Sequence, residues 1–541
     1  MSLSERTPGN ATPHLRRQGH ATQLIVDGAP FLVLGGELHN SSSSDLAYMQ
    51  PIWERLVALG LNTVLAAVSW ELVEPEEGRF EWTLVDGLIV EARRHGLRLI
   101  LLWFGSWKNG QSTYVPLWLK RDGRRFPRAR RQDGNAIEVL STFSEANREA
   151  DARAFAALLR HLRDVDGEHH TVVMVQVENE VGLLGDSRHR SEAAAAAFAG
   201  PVPRELIDDL AAHRAEIWPD LCARWEAHGA RTAGTWEEVF GAAPATDELF
   251  MAWSYARYID AVAAAGKAEY DLPMYVNAWL NAVVALPGLP AGGKTPGDWP
   301  SGGPLPHTMD IWRSGAPHIN LLSPDIYFGD FFDWCRLYTR RGNPLFIPEM
   351  RRDAEGARNV FFAIGQHDAI GVAPFGIDSL ASPADVPLAT SYRLLRQLAP
   401  LILEHQGRST MTGFVLDADH PRITCELGGY ELEITQAWAF GGTRVPGYGL
   451  VINTGPDTFV GAGYGFRVQF RPATPSPAQV GIGAVDEGAY EDGRWTAGRR
   501  LNGDERTGWA FPLAEPPATP LPIPLLGAGT AISRCVVYRY E

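Results

Sequence analysis

The stretch Thr171-Val-Val-Met-Val-Gln-Val-Glu178-Asn179-Glu180-Val-Gly182 decides the fold. Its first half is apolar and β-branched without alternation, the pattern of a parallel strand buried on both faces. Its end turns acidic at Glu178 and Glu180, so a buried strand delivers carboxylates to its C-terminal tip. In barrels of parallel strands the chemistry sits at that tip. A solvated loop that merely follows a strand carries the same residue types, so this stretch alone does not choose between the two.

A second stretch bears on the choice. Pro344-Leu-Phe-Ile-Pro-Glu349-Met350 is another short apolar run, preceded by the turn Arg341-Gly342-Asn343, and it too ends on one carboxylate. Two carboxylates on two strand ends are what glycoside hydrolysis needs. One protonates the leaving oxygen, and the other attacks or stabilises the oxocarbenium-like centre.

Outward from these two runs, the chain repeats strand and helix. Leu24 to Phe31 reads as a hairpin, with Asp27-Gly28 supplying the positive φ of a tight turn. Phe31 to Asn40 is the first barrel strand, and Ile52, Leu56 and Leu59 mark the helix after it. Leu61 to Glu71 is the second strand, followed by a helix through Val85, Leu88, Ile89 and Ala92. Leu97 to Phe104 is the third, and Phe155, Leu158, Leu159 and Leu162 mark the helix that precedes the Glu180 strand. Pro273 to Trp279, Asn320 to Tyr327, the Glu349 run and Ala369 to Gly376 supply strands five to eight. Eight strands with intervening helices predict an α/β fold, a (β/α)8 TIM barrel, over residues 1–404. An open doubly wound sheet would want a Gly-rich phosphate turn, and no G-x-G-x-x-G follows Gly35-Gly36.

Three insertions interrupt the barrel. The basic run Lys120 to Arg131 reads as a solvated loop, Ser191 to Gly200 as a low-complexity helix, and Leu286 to His307 as a Gly/Pro-rich loop beside the substrate pocket. Beyond about Glu404 the runs become short, alternating and separated by Gly, Asp and Pro, which predicts a C-terminal antiparallel β-sandwich over residues 405–541. Its expected role is to brace the barrel.

Composition narrows the function classes. The chain has 541 residues, 45% hydrophobic and 21% charged, which is a folded globular composition long enough for two or three domains. A formal charge of −15 argues against a nucleic-acid partner and favours neutral or cationic ligands. Four scattered cysteines without C-x-x-C spacing indicate neither a zinc site nor a disulfide framework, and no metal or other cofactor is expected. No window reaches the roughly 18 apolar residues of a membrane span, and Met1 to Asn10 lacks an apolar leader core, so the expected location is cytoplasmic. Seventeen tryptophans offer faces for sugar rings as well as core filling.

Residues 20–400 resemble glycoside hydrolase family 35, the retaining β-galactosidases of clan A. The resemblance rests on Gly36-Glu37-Leu38-His39, on Trp70-Glu-Leu-Val-Glu74-Pro75 with Gly78-x-Phe80-x-Trp82, on Pro116-Leu-Trp-Leu119, and above all on Gln176-Val-Glu-Asn179-Glu180-Val-Gly182. It implies that Glu180 is the general acid/base, Glu349 the nucleophile, and Asn179 a contact of the sugar 2-hydroxyl. Glu37, Trp70, Glu74, Trp107, Asn277, Trp279, Asp325 and Tyr327 are the further residues expected to meet substrate; Asp325 also suits a capping role at its strand end.

Three departures bear on the sugar. Asn40 stands where the family usually has Tyr, Val73 where it has His, and Trp103-Phe-Gly-Ser-Trp107-Lys108-Asn109 where it has Ala-Glu-Trp, a segment that recognises hydroxyls in typical members. The expected activity is release of terminal β-D-galactose by double displacement. The same mechanism on a β-glucoside, β-xyloside or α-L-arabinoside, or a barrel that binds sugar without cleaving it, stays open. The expected partner is a glycoside or oligosaccharide, with no membrane; assembly into homo-oligomers is left open.

Overall fold

In a computed structural model, residues 11–283, 292–382, 386–437, 446–474, 478–491, 493–503, 508–514 and 531–541 are described. The leader reading of Met1 to Asn10 and the first part of the loop from Leu286 fall outside them. The barrel is closed and consists of β1 (Val33–Glu37), β2 (Thr63–Ser69), β3 (Arg98–Lys108), β4 (Val172–Asn179), β5 (Met274–Trp279), β6 (Leu321–Ile326), β7 (Phe346–Met350) and β8 (Gly371–Pro374). Neighbours follow chain order, all pairs are parallel, and β8 closes onto β1. The expected eight-stranded barrel is the observed one.

Sequence chemistry explains the closure. Every residue of β4 is buried, as an unalternated Val-rich run requires when helices cover one face and barrel interior the other. Helix Glu145–Asp166 packs on β3; Ser144 caps it by accepting from the Asn147 amide, and Phe155, Leu158, Leu159 and Leu162 form its buried stripe. The hairpin Ala21–Val26 and Ala29–Phe31 turns at Asp27 and Gly28, both with positive φ, and sends Leu24 and Val26 into the interior cluster with Val33, Leu65, Ile100 and Phe346. The hairpin thus packs on the barrel's interior cluster, whereas the pocket described below opens at the C-terminal tips of the strands.

Two expectations shift. The third strand was expected to stop at Phe104, but β3 continues to Lys108. The connection from β4 to β5 is also richer than one short helix: Glu192–Phe198 is followed by helices Arg204–Ala212, Pro219–Ala227, Trp236–Phe240 and Pro244–Glu269. The last of these lies against helix Glu145–Asp166, where Gly266 leaves room for the Phe155 ring.

The last barrel helix, Pro387–His405, leads to two antiparallel sheets. Six strands, among them Met411–Leu416, Gly447–Gly455 and Ile532–Tyr540, form one sheet, and Arg422–Leu427, Tyr430–Gln436 and Phe466–Pro472 form the other. Phe414, Leu432, Phe459, Phe466, Trp509 and Cys535 share a core separate from that of the barrel. Helix Ala354–His367, which precedes β8, packs on strand Met411–Leu416 at a glycine pair. A Cβ on Gly413 would lie 2.0 Å from the Phe361 carbonyl oxygen, and one on Gly365 would lie 2.7 Å from the Gly413 Cα. The two units meet backbone to backbone there.

Candidate active site

Strand β4 loses regular geometry at its end, where Glu178 and Glu180 have φ of 64° and 45°. Such left-handed conformations cost non-glycine residues about 1–3 kcal/mol each and persist where the surroundings hold them. In a regular strand residues two apart share a face, so these two carboxyls would point the same way. Here they part company, and each takes a separate task.

Glu178 reaches β3. Its two oxygens accept the backbone N–H groups of Ser106 at 3.1 Å and Trp107 at 2.6 Å. Behind it Asp151, on helix Glu145–Asp166, accepts the Trp103 indole N–H at 2.9 Å and the Ser106 hydroxyl at 2.5 Å. Burial pushes both carboxyls up, Glu178 further because of the Asp151 charge. Gly105 is obligatory in this corner, since a Cβ would lie 2.3 Å from the Trp103 Nε1 and 2.6 Å from a Glu178 oxygen. The result is a bulge: Trp103 pairs with Val177, but Lys108 pairs with Asn179, so β3 spends five residues where β4 spends two. The bulge places Lys108 at the mouth.

Glu180 turns into a cavity of about 410 Å³ lined by Asn40, Lys108, Asn109, Glu180, Trp279, Leu280, Ala282, Asp325, Tyr327, Phe328, Glu349 and Phe375. Glu349, at the end of β7, accepts from three donors: Tyr327 Oη at 2.7 Å, Asn179 Nδ2 at 3.3 Å and Asn277 Nδ2 at 3.4 Å. Asn277 also donates to Asp325 at 2.7 Å and accepts the Glu180 backbone N–H at 2.9 Å, joining four strand tips through one amide. One carboxyl oxygen each of Glu180, Asp325 and Glu349 lies within 4.8 Å of the others.

Crowded, buried acids separate their protonation. Burial first, and the Glu349 charge second, push Glu180 up to about 7, against the opposing pull of Lys108 and of a hydrogen bond from Asp325. Burial and Glu349 likewise hold Asp325 and Glu37 well above the usual carboxylate range. For Lys108, burial disfavours the ammonium, yet Glu349, Glu180, Glu37 and Asp325 outweigh it and raise its affinity for the proton. Oxygen-only donors spaced like Glu180, Asp325 and Glu349 suit a hard divalent cation. The Lys108 ammonium already supplies positive charge in the same field.

The expected substrate contacts divide. Asn179, Asn277, Trp279, Asp325, Tyr327, Glu180 and Glu349 come together at the mouth. Trp70, Glu74 and Trp107 do not, and their placement corrects the expectation. Trp70 is fully buried with its indole donating to Glu74 at 2.8 Å, and Glu74 also accepts the Gly78 N–H at 2.7 Å, so the pair braces the turn after β2. Trp107 is fully buried between Tyr255 and Tyr258. Glu37 is also fully buried and does not line the cavity; neither of its oxygens has a hydrogen-bond partner among the described residues. Lys108 is the residue that the sequence reading passed over, although it lies in the segment singled out as departing from the family.

Fold and mouth together define a (β/α)8 barrel with a carboxyl-lined pocket at the strand tips. Residues 23–213 match the model of Glycosyl hydrolases family 35, a span that holds the motifs on which the resemblance rests. Residues 388–512 match a Domain of unknown function (DUF5597). A β-galactosidase of Xanthomonas manihotis is 33% identical over 172 residues, which are 30% of this chain and 26% of that protein. Beta-galactosidase-1-like protein 3 of Homo sapiens is 27% identical over 194 residues, 35% of this chain and 26% of that protein. The chain thus spans about a quarter of the length of these relatives. Among solved structures, the β-galactosidase of the psychrophilic Marinomonas ef1 is 14% identical with a TM-score of 0.43, covering 68% of this chain and 60% of that one. The β-galactosidase of Bacillus circulans sp. alkalophilus is 14% identical with a TM-score of 0.45, covering 69% and 57%.

Proposed function

We propose that the chain is a retaining glycoside hydrolase that releases terminal β-D-galactose from β-galactosides. The observation that carries the reading is the closeness of Glu180 and Glu349, with carboxyl oxygens within 4.8 Å. Retaining glycosidases hold their carboxyl groups about 5–5.5 Å apart, whereas inverting ones leave about 6.5–9.5 Å for a water.

In this reading a Glu349 oxygen attacks the anomeric carbon while the bond to the leaving oxygen breaks and Glu180 gives that oxygen its proton. Three donors on Glu349 suit an anionic nucleophile held in one rotamer. Once the ester forms, the charge that raised Glu180 is gone. Glu180 then takes a proton from water, whose oxygen attacks the same carbon and frees Glu349. Two inversions give net retention. Trp279, Phe328 and Phe375 supply apolar faces for a sugar ring at the cavity wall. Residues 1–404 carry the chemistry and residues 405–541 brace the barrel through helix Ala354–His367.

A panel of nitrophenyl β-galactoside, β-glucoside, β-xyloside and α-L-arabinoside tests the glycone. The β-galactoside is expected to have the highest kcat/KM; a tenfold or greater preference for another member would replace galactose in this account.

A further inference from the structure

Lys108 is only 7% exposed, lines the cavity, and donates from Nζ to Asn179 Oδ1 at 2.9 Å. An amide held by its oxygen must offer its nitrogen the other way, and Asn179 Nδ2 points at Glu349 Oε1, 3.3 Å away. Placing this lysine has required considerable structure. Glu178 clamps the Ser106 and Trp107 amides, Asp151 holds Ser106, and Gly105 supplies the clearance that lets the bulge form.

The groups that face Lys108 come from four strand tips: Glu37 of β1, Glu180 after β4, Asp325 of β6 and Glu349 of β7. Each carboxyl charge held in this enclosed space favours the Lys108 ammonium, and the ammonium in turn opposes protonation of Glu180.

We propose that Lys108 is a positioning residue for the two-glutamate reaction: its ammonium orients the Asn179 amide onto Glu349 and offsets the negative charge gathered at the pocket mouth. This rests on the hydrolase reading above and deepens it. Lys108 lies in the segment that departs from the family motif, and it brings a cation to the pocket wall from β3.

Substitutions Lys108→Met and Lys108→Gln test it, read as pH profiles of kcat/KM on an aryl β-galactoside, with circular dichroism to confirm folding. Lys108→Met removes donor and charge, and turnover is expected to fall about 10- to 100-fold, the range of one hydrogen bond involving a charged group. Its basic limb is expected to move to higher pH, because the cation that opposes protonation of Glu180 is gone. Lys108→Gln keeps a donor for Asn179 and should move the limb equally with a smaller loss of rate. An unmoved limb in the folded variants overturns the proposal; if Lys108→Met does not fold, the limb of Lys108→Gln decides. Glu349→Ala separates the two levels. An inactive Glu349→Ala beside unmoved Lys108 profiles refutes the lysine's role alone, whereas an active one refutes the hydrolase reading and the proposal with it.

Discussion

The Asn179 amide donates to Glu349 at 3.3 Å across the barrel mouth, joining residues 170 positions apart in the chain. Its neighbour Glu180 faces the same carboxylate within 4.8 Å. Everything proposed for this chain depends on β4 and β7 delivering those groups to one point.

Glu349→Ala should lower turnover by several orders of magnitude, since an attacking carboxylate has no substitute among the donors around it. Added azide, small enough to occupy the vacated space, should restore part of the rate. Steady-state kinetics on a folded variant measure both, and near-native turnover would remove Glu349 from the mechanism.

Glu180 must be protonated to donate, and burial with the Glu349 charge has pushed it up to about 7. Activity should therefore fall as pH rises through about 7, and that limb should vanish in Glu180→Gln. The variant should lose most rate on poor leaving groups, because an activated aryl group needs little protonation. Equal losses of glycosylation rate for both substrate types would exclude the acid role.

The same shift has a cost in stability. Between the ordinary value of 4.5 and about 7 the folded protein holds a proton on Glu180 that the unfolded chain releases. Stability therefore drops as pH rises across that window, by up to about 3 kcal/mol for this group. Glu180→Gln should flatten the drop and melt higher than the parent at pH 8. Thermal unfolding of both proteins at pH 5 and pH 8 measures the difference; parallel pH dependences would mean that Glu180 is not strained by its neighbours.

Trp70 and Glu74 should behave as structural residues. Trp70→Phe leaves the buried Glu74 oxygen without its indole donor and is expected to cost about 1–3 kcal/mol of stability. KM for an aryl galactoside should change less than twofold. A large rise in KM with unchanged melting temperature would return the pair to the substrate pocket.

These outcomes also explain what was legible in the sequence. The apolar runs ending at Glu180 and Glu349 carried fold and site together, because a strand buried on both faces leaves a clear pattern and its polar tip is a sharp break. Lys108 was not legible as a pocket residue. Gly105-Ser106 interrupts the apolar run, and what extends β3 past it is the Glu178 side chain of the neighbouring strand, a contact no local pattern encodes. Trp70, Glu74 and Trp107 misled for the converse reason. Aromatic and acidic residues near strand tips look alike in sequence whether they face the cavity or the layer behind it, and only the bends after β2 and within β3 decide. Glu178 and Glu180 would share a face in a regular strand, and the two positive φ angles that separate them leave no mark in residues that are not glycine.

The stereochemistry of hydrolysis tests the central claim most directly. In the proposed mechanism Glu180 and Glu349 are spaced as in retaining glycosidases, and the sugar passes through an ester on Glu349. Following the anomeric proton by NMR during early hydrolysis of a β-galactoside should show the β-anomer first, with the α-anomer appearing only as the free sugar equilibrates. Initial release of the α-anomer would contradict the account, even if both glutamates proved essential.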